Sequence, residues 1–152
     1  MKEYETMIKK AGKGDLQNVA ALAFEMWGAH TQDELVSEFF KLINDPQNAL
    51  VLLFELQNQP IGFAQCQLRH DYVEGTDSSP VGYLEGIFIK EQYRGRGYAK
   101  ALLKRCEQWA AQKGCSEFAS DCQITNSQSI NFHMHTGFKQ AAKIVCFTKK
   151  IK

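Results

Sequence analysis

The residues Arg94-Gly95-Arg96-Gly97 stand between an apolar run, Tyr83 to Ile89 (YLEGIFI), and a helix-forming stretch that begins at Tyr98. A strand that enters a helix through glycines leaves the first-turn N–H groups without acceptors, and the helix dipole adds partial positive charge there. Such a turn is an anion site, best suited to phosphate. The GxxxxGK[ST] phosphate loop is excluded, because Tyr98 and Ala99 follow Gly97, Lys100 is displaced, and no Ser or Thr stands ready for magnesium. A dinucleotide fingerprint, GxGxxG, would start at Gly95 and Gly97 but meets Lys100 where its third glycine belongs. Read alone, the turn is better taken as a tight strand-to-helix connection with solvated charges, so the elements around it decide.

Helical spacing of Leu16, Val19, Ala20, Leu22, Ala23, Met26 and Trp27 predicts a first amphipathic helix after Gly14-Asp15. After the break GAHT, Thr31 with Glu34 forms a capping box that opens a second helix, with Leu35, Phe39, Phe40 and Ile43 inward and an end at Asn44-Asp45-Pro46. Ala49 to Leu56 and Ile61 to about Tyr72 read as an antiparallel hairpin around Gln57-Asn58-Gln59-Pro60. A polar loop, Val73 to Gly82, leads to the strand YLEGIFI, where Gly86 beside Glu85 marks a bulge or a close approach of another group to the backbone. The helix after the glycines stops at Lys113-Gly114; a short strand over Glu117 to Cys122, a helix over Asn126 to His135 and one or two strands within Phe138 to Ile151 complete the chain. The order is mixed α/β, with a parallel crossover through the glycine-rich turn.

At 152 residues the chain is expected to form a single domain, residues 1–152. Its 44% hydrophobic and 23% charged residues are ordinary for a globular protein, and a net charge of +1 offers no bulk attraction to nucleic acid or to an acidic membrane. No run is apolar enough to span a membrane, and the N-terminus mixes both signs without the apolar core of a leader. Cys66, Cys106, Cys115, Cys122 and Cys146 form no CxxC pair and have no histidine at zinc-ligand spacing, so no metal is expected. Buried, reduced thiols in a cytoplasmic protein are the expectation.

The stretch Arg94-Gly95-Arg96-Gly97-Tyr98-Ala99 resembles the pyrophosphate-binding motif [R/Q]xxGx[G/A] of the GNAT N-acetyltransferase superfamily. The likeness extends over nearly the whole chain: YLEGIFI resembles the family's bulged central strand, and Asn126 with SQSINFHMHTGF its later helix and GF segment. The resemblance implies a GNAT fold, a mostly antiparallel sheet with a bulged, splayed parallel strand pair and flanking helices. It also implies acetyl-CoA as cosubstrate, with its pyrophosphate on the backbone of Arg94 to Ala99 and with Asn126 at the cofactor side. Arg94 and Arg96 add side-chain charge, or one of them is a solvated surface arginine. A backbone N–H near Gly86 or Ile87 would polarise the thioester carbonyl.

An alkyl amine acceptor, with a pKa near ~10.4, must lose a proton before it can attack. Glu85 on the central strand and Asp121 at the end of the next one are the candidates to receive it. With Asp71, Glu74 and Asp77 in the preceding loop, they suggest a polycationic acceptor. The stretches LRHDYVEGTDSSPVGYLEGIFI and EFASDCQITN…GF resemble the chromosomal type of aminoglycoside 6'-N-acetyltransferases. That likeness implies acetylation of the 6'-amine of aminoglycosides, hence antibiotic resistance, with Trp27, His30, Tyr72, Glu85 and Asp121 lining the acceptor site. Where many GNAT enzymes carry a tyrosine that protonates the leaving thiolate, this chain has His133, so His133 and Tyr72 compete for that role. Cys122 has no adjoining base in sequence, which favours direct transfer in a ternary complex. Another amine, such as a polyamine or a protein lysine, and a non-catalytic acetyl-CoA-binding module are the alternatives. A homodimer is expected, as is common among such relatives, and the apolar stretch IVCFTKKI is either an interface or an ordinary core strand.

Overall fold

The computed structural model describes residues 7–28 and 30–152; Met1 to Thr6, and Ala29 within the GAHT break, lie outside the described residues. Among the described residues five strands form one sheet in the order β1-β2-β3-β4-β5: β1 (Ile8–Lys10), β2 (Ala49–Leu56), β3 (Gln59–Arg69), β4 (Val81–Ile89) and β5 (Phe118–Ser120). The first three pairings are antiparallel and β4–β5 is parallel. Among the described residues four α-helices flank the sheet: α1 (Leu16–Trp27), α2 (Gln32–Ile43), α3 (Tyr98–Gln112) and α4 (Ser127–His135).

Alternation along β2 sorts the layers. Leu50, Leu52 and Phe54 pack with Leu102, Leu103, Cys106 and Trp109 of α3, while Val51 and Leu53 pack with Val19, Leu22, Leu35 and Phe39 of α1 and α2. Both faces of this strand are therefore buried, as its unbroken apolar run requires. Truncating a fully buried residue such as Leu102 to Ala would cost about 2–5 kcal/mol. The capping box of α2 is present, with Glu34 N–H donating to Thr31 Oγ1 and Thr31 N–H donating to Glu34 Oε1, each at 3.1 Å. Asp15, by contrast, accepts from Gly12 N–H and pairs with Lys9 instead of capping α1 through its side chain.

Two features of β4 create openings. Gln65 is opposite Gly86 and Cys66 is opposite Leu84, so Glu85 is the extra residue of a bulge. The bulge reverses the alternation: Leu84, Ile87 and Ile89 face α3, whereas Tyr83, Glu85, Gly86 and Phe88 face the α1–α2 side. Pairing with β5 then ends at Leu84–Ser120, and the two parallel strands diverge.

Three expectations need correction. β3 ends at Arg69 and not near Tyr72: His70, Asp71 and Tyr72 are exposed and leave the sheet, with Ser79 Oγ donating to the His70 carbonyl oxygen. No strand forms within Phe138 to Ile151: the segment pairs with neither edge strand of the sheet, β1 or β5, and Ile144, Val145, Phe147 and Ile151 are 75, 77, 89 and 87% exposed. The thiols are free but not uniformly buried, since Cys122 and Cys146 are exposed.

Candidate active site

On β3 the polar residues Gln65, Gln67 and Arg69 share one face, and the register brings them beside Tyr83 and Glu85 of β4. Trp27 and His30, at and just after the end of α1, and Glu38 of α2 close the other side, leaving a cavity of about 510 Å³. Gly86 is required by that closure: a Cβ there would lie 2.7 Å from Cζ2 of Trp27. Trp27 also meets Phe63 edge-on at 5.9 Å, so it belongs to the core and to the cavity wall together.

Within the cavity Glu85 accepts a forked pair from Arg69, whose Nη2 donates to Oε1 and Oε2 at 3.0 and 2.9 Å and whose Nε donates to Oε2 at 3.2 Å. Burial pushes the Glu85 carboxyl above the usual carboxylate range, and Arg69 pulls it part of the way back. The same guanidinium lies 3.4 Å over the Tyr83 ring. Tyr83 donates its hydroxyl to Asp121, and burial first, with that carboxylate second, holds the hydroxyl protonated well above the ordinary tyrosine range. One connected polar system thus runs from Glu85 through Arg69 and Tyr83 to Asp121. The loop after β3 is held over this face by Val73, packed with Val81 and Tyr83, and by Glu117, which accepts from Asp77 N–H at 2.8 Å.

At the far end of β4, Gly95 and Gly97 have φ of 78° and 83°, the left-handed region in which side chains are strained, and a Cβ at either would meet open space. Gly97 is the N-cap of α3, no side chain caps the helix, and its first turn carries no acidic residue. Open space, uncapped N–H groups and the helix dipole converge there, which fits a pyrophosphate. Arg94 is committed elsewhere, since its Nε donates to the Ile89 carbonyl oxygen at 2.7 Å and its guanidinium lies 5.5 Å from the Phe88 ring centre. Arg96 lies over Tyr93 at 5.8 Å.

The remaining expected residues separate. His133 stands where β4 and β5 diverge: its Nε2 is 2.8 Å from Ser120 Oγ and its Nδ1 is 2.7 Å from the Ser129 carbonyl oxygen. Facing a carbonyl, Nδ1 must carry a proton, which leaves Nε2 to accept from Ser120 in the neutral ring or to donate to it in the imidazolium. Asn126 caps α4 through Oδ1, which accepts from Ser129 N–H at 3.0 Å. Tyr72 is 75% exposed and does not line the cavity. Arg69, Tyr83 and Ser120 are absent from the expected site residues. Alternation of Gln65, Gln67 and Arg69 along an otherwise apolar strand is the sequence signal for the first; nothing local marks the other two. No His, Cys, Asp or Glu cluster able to hold a metal occurs among the described residues.

The model of the acetyltransferase (GNAT) family matches residues 16–138. Among curated proteins, aminoglycoside N(6')-acetyltransferase type 1 of Stenotrophomonas maltophilia is 35% identical over 92% of this chain and 90% of its own. The protein of the same name from Acinetobacter haemolyticus is 37% identical over 95% of this chain and 98% of its own. Among solved structures, AAC(6')-Iy in complex with the bisubstrate analogue CoA-S-monomethyl-acetylneamine superposes with a TM-score of 0.89 at 33% identity, covering 94% of this chain and 97% of that one.

Proposed function

The chain belongs to the GNAT acetyltransferase family, and from that premise we propose that it acetylates the 6'-amine of aminoglycoside antibiotics with acetyl-CoA, and so confers resistance, residues 1–152 acting as one domain. The observation that carries this reading is the acidic, aromatic-walled cavity built against the bulge of β4, on a fold shared at 33% identity with a protein solved on a CoA–acetylneamine bisubstrate analogue. Acetyl-CoA supplies an acyl thioester. The backbone of Gly95 to Ala99, with Arg96 at its edge, holds the pyrophosphate; Arg94 braces the turn through Ile89, and Asn126 fixes the start of α4 beside the cofactor.

On the acceptor side Glu85 anchors an ammonium group and Trp27 and His30 wall the sugar, while Tyr72, exposed on the loop after β3, meets the part of the acceptor that projects beyond the cavity. Asp121, oriented by Tyr83, takes the proton that the amine must lose, directly or through a water. The neutral amine then attacks the thioester carbonyl, whose developing negative charge is met by an N–H of Gly86 or Ile87 beyond the last β4–β5 pair. As the C–S bond breaks, the thiolate takes the Ser120 hydroxyl proton, the His133 imidazolium replaces it from Nε2 and becomes neutral, and the proton still on the acylated nitrogen passes to solvent. Transfer is direct, since no base is hydrogen-bonded to Cys122 among the described residues.

Free thiols and dependence on acetyl-CoA, a cytoplasmic metabolite, support a cytoplasmic location. A homodimer is supported by the extended apolar segment after Phe138, which a second copy would cover. Replacing Phe147 by Glu should then yield a monomer in sedimentation, and an unchanged mass would remove the dimer reading. The activity itself is tested by CoA release with neomycin, which bears a 6'-amine, and paromomycin, which bears a 6'-hydroxyl. Turnover of neomycin alone supports the reading. Equal rates place the acetyl group elsewhere, and silence on both points to another amine or to a binding module.

A further inference from the structure

Glu85 meets any acceptor cation with both its oxygens already engaged by Arg69. We propose that Arg69 is a specificity-determining residue: a tethered cation that occupies the ammonium seat on Glu85 and biases the pocket toward acceptors with several ammonium groups over mono-amines. The proposal rests on the amine-acetylating reading above.

An acceptor ammonium that takes this seat must replace a planar, forked guanidinium stacked on Tyr83 by a point charge with fewer aligned donors. A tethered competitor also acts at an effective concentration on the order of millimolar. Swapping one cation for another therefore gains a mono-amine little. An acceptor with several ammonium groups does not depend on that exchange alone, because it sets further charges against Glu38 of α2, which lines the cavity, and Asp121, which accepts from Tyr83, neither of them in an ion pair among the described residues. The displaced guanidinium has a route outward, since the Arg69 side chain at the end of β3 is 40% exposed while that of Glu85 is 21% exposed.

Arg69 also keeps the seat charged until the exchange takes place. The groups that face Glu85 are Arg69, Gln65 and Gln67 from β3, Tyr83 from β4, Asp121 beyond β5, Trp27 and His30 at the end of α1, and Glu38 from α2. Burial and Asp121 favour the neutral acid, and Arg69 is the principal group opposing them.

Arg69→Met keeps an unbranched stem over Tyr83 without charge, and Arg69→Lys keeps the charge without the fork. Binding to the CoA-loaded protein would be measured by calorimetry with neamine and with 6-amino-6-deoxyglucose, which has a single ammonium, at about pH 8, well above the carboxylate range, so that Glu85 stays ionised. For Arg69→Met, affinity for the mono-amine should rise about tenfold while that for neamine changes about threefold or less, narrowing the ratio; Arg69→Lys should fall between the variant and the parent. A similar loss for both ligands, or an unchanged ratio, would overturn the assignment. If Arg69→Met does not fold, the Lys variant decides by the same criterion. Because the readout is binding, failure of the parent protein to release CoA with neamine would refute the acetyl-transfer reading separately, and the two ratios would still decide the role of Arg69.

Discussion

On the α1–α2 side of β4 the groups offered to a ligand are side chains: Glu85, Arg69, Tyr83 and Asp121, joined across sequence separations of 16 and 38 residues. At the turn after β4 they are backbone N–H groups, presented by contiguous residues around Gly95 and Gly97. The first set is charged, mutually coupled and dependent on strand register. The second is local and does not titrate, and its shape is set by two positive φ angles. A protein built this way can vary its acceptor by changing a few side chains while the proposed cosubstrate seat stays fixed by main-chain geometry.

The largest test of this contrast is Asp121→Asn. Asparagine keeps an oxygen for the Tyr83 hydroxyl but cannot take a proton, so kcat should fall by about 100- to 10,000-fold, with the KM for acetyl-CoA little changed. Steady-state rates with both substrates varied would show this, and unchanged turnover would remove Asp121 from the proton path. Next in size is Gly97→Val. Forcing a β-branched residue to φ of 83° costs about 1–2 kcal/mol, so the KM for acetyl-CoA should rise by about 5- to 30-fold while that for the acceptor stays near the parent value. Parallel losses on both substrates would mean that the two regions are not separable.

The same contrast explains what the sequence reveals. The glycine-rich turn is legible because its chemistry is contiguous, and the capping box and the bulge at Glu85-Gly86 are legible for that reason too. Arg69 is harder to see, since its meaning comes from the β3–β4 register, which puts it beside Val81 with its side chain reaching the bulged Glu85. Tyr83 reads as one more apolar residue of a strand until Asp121 is placed against it. The C-terminal stretch misleads in the opposite direction: IVCFTKKI carries strand propensity, but it pairs with no strand of the sheet and its apolar side chains stay exposed, so propensity alone forms no ladder.

The smallest expected effect is a pH dependence confined to one of the two regions. Between the ordinary glutamate value of about 4.3 and neutrality an aminoglycoside stays largely cationic, so a change in its affinity across that range reports on the protein. The Glu85 carboxyl lies above the ordinary value. Acceptor binding should therefore weaken as pH falls through that raised value, by up to about tenfold per pH unit below it. Dephospho-CoA, held by N–H groups, should bind with nearly constant affinity over the same window. Stability runs the other way. Because folding raises this carboxyl, its contribution to stability is full below the unfolded value and is lost as pH rises through the folded one. The ionisation that readies the pocket for a cation is thus the one that loosens the fold, and Glu85→Gln should flatten both slopes in calorimetric binding and in denaturant unfolding measured across the window. A flattened binding slope with an unaltered stability slope would mean that a neighbouring group, and not Glu85, carries the burial penalty.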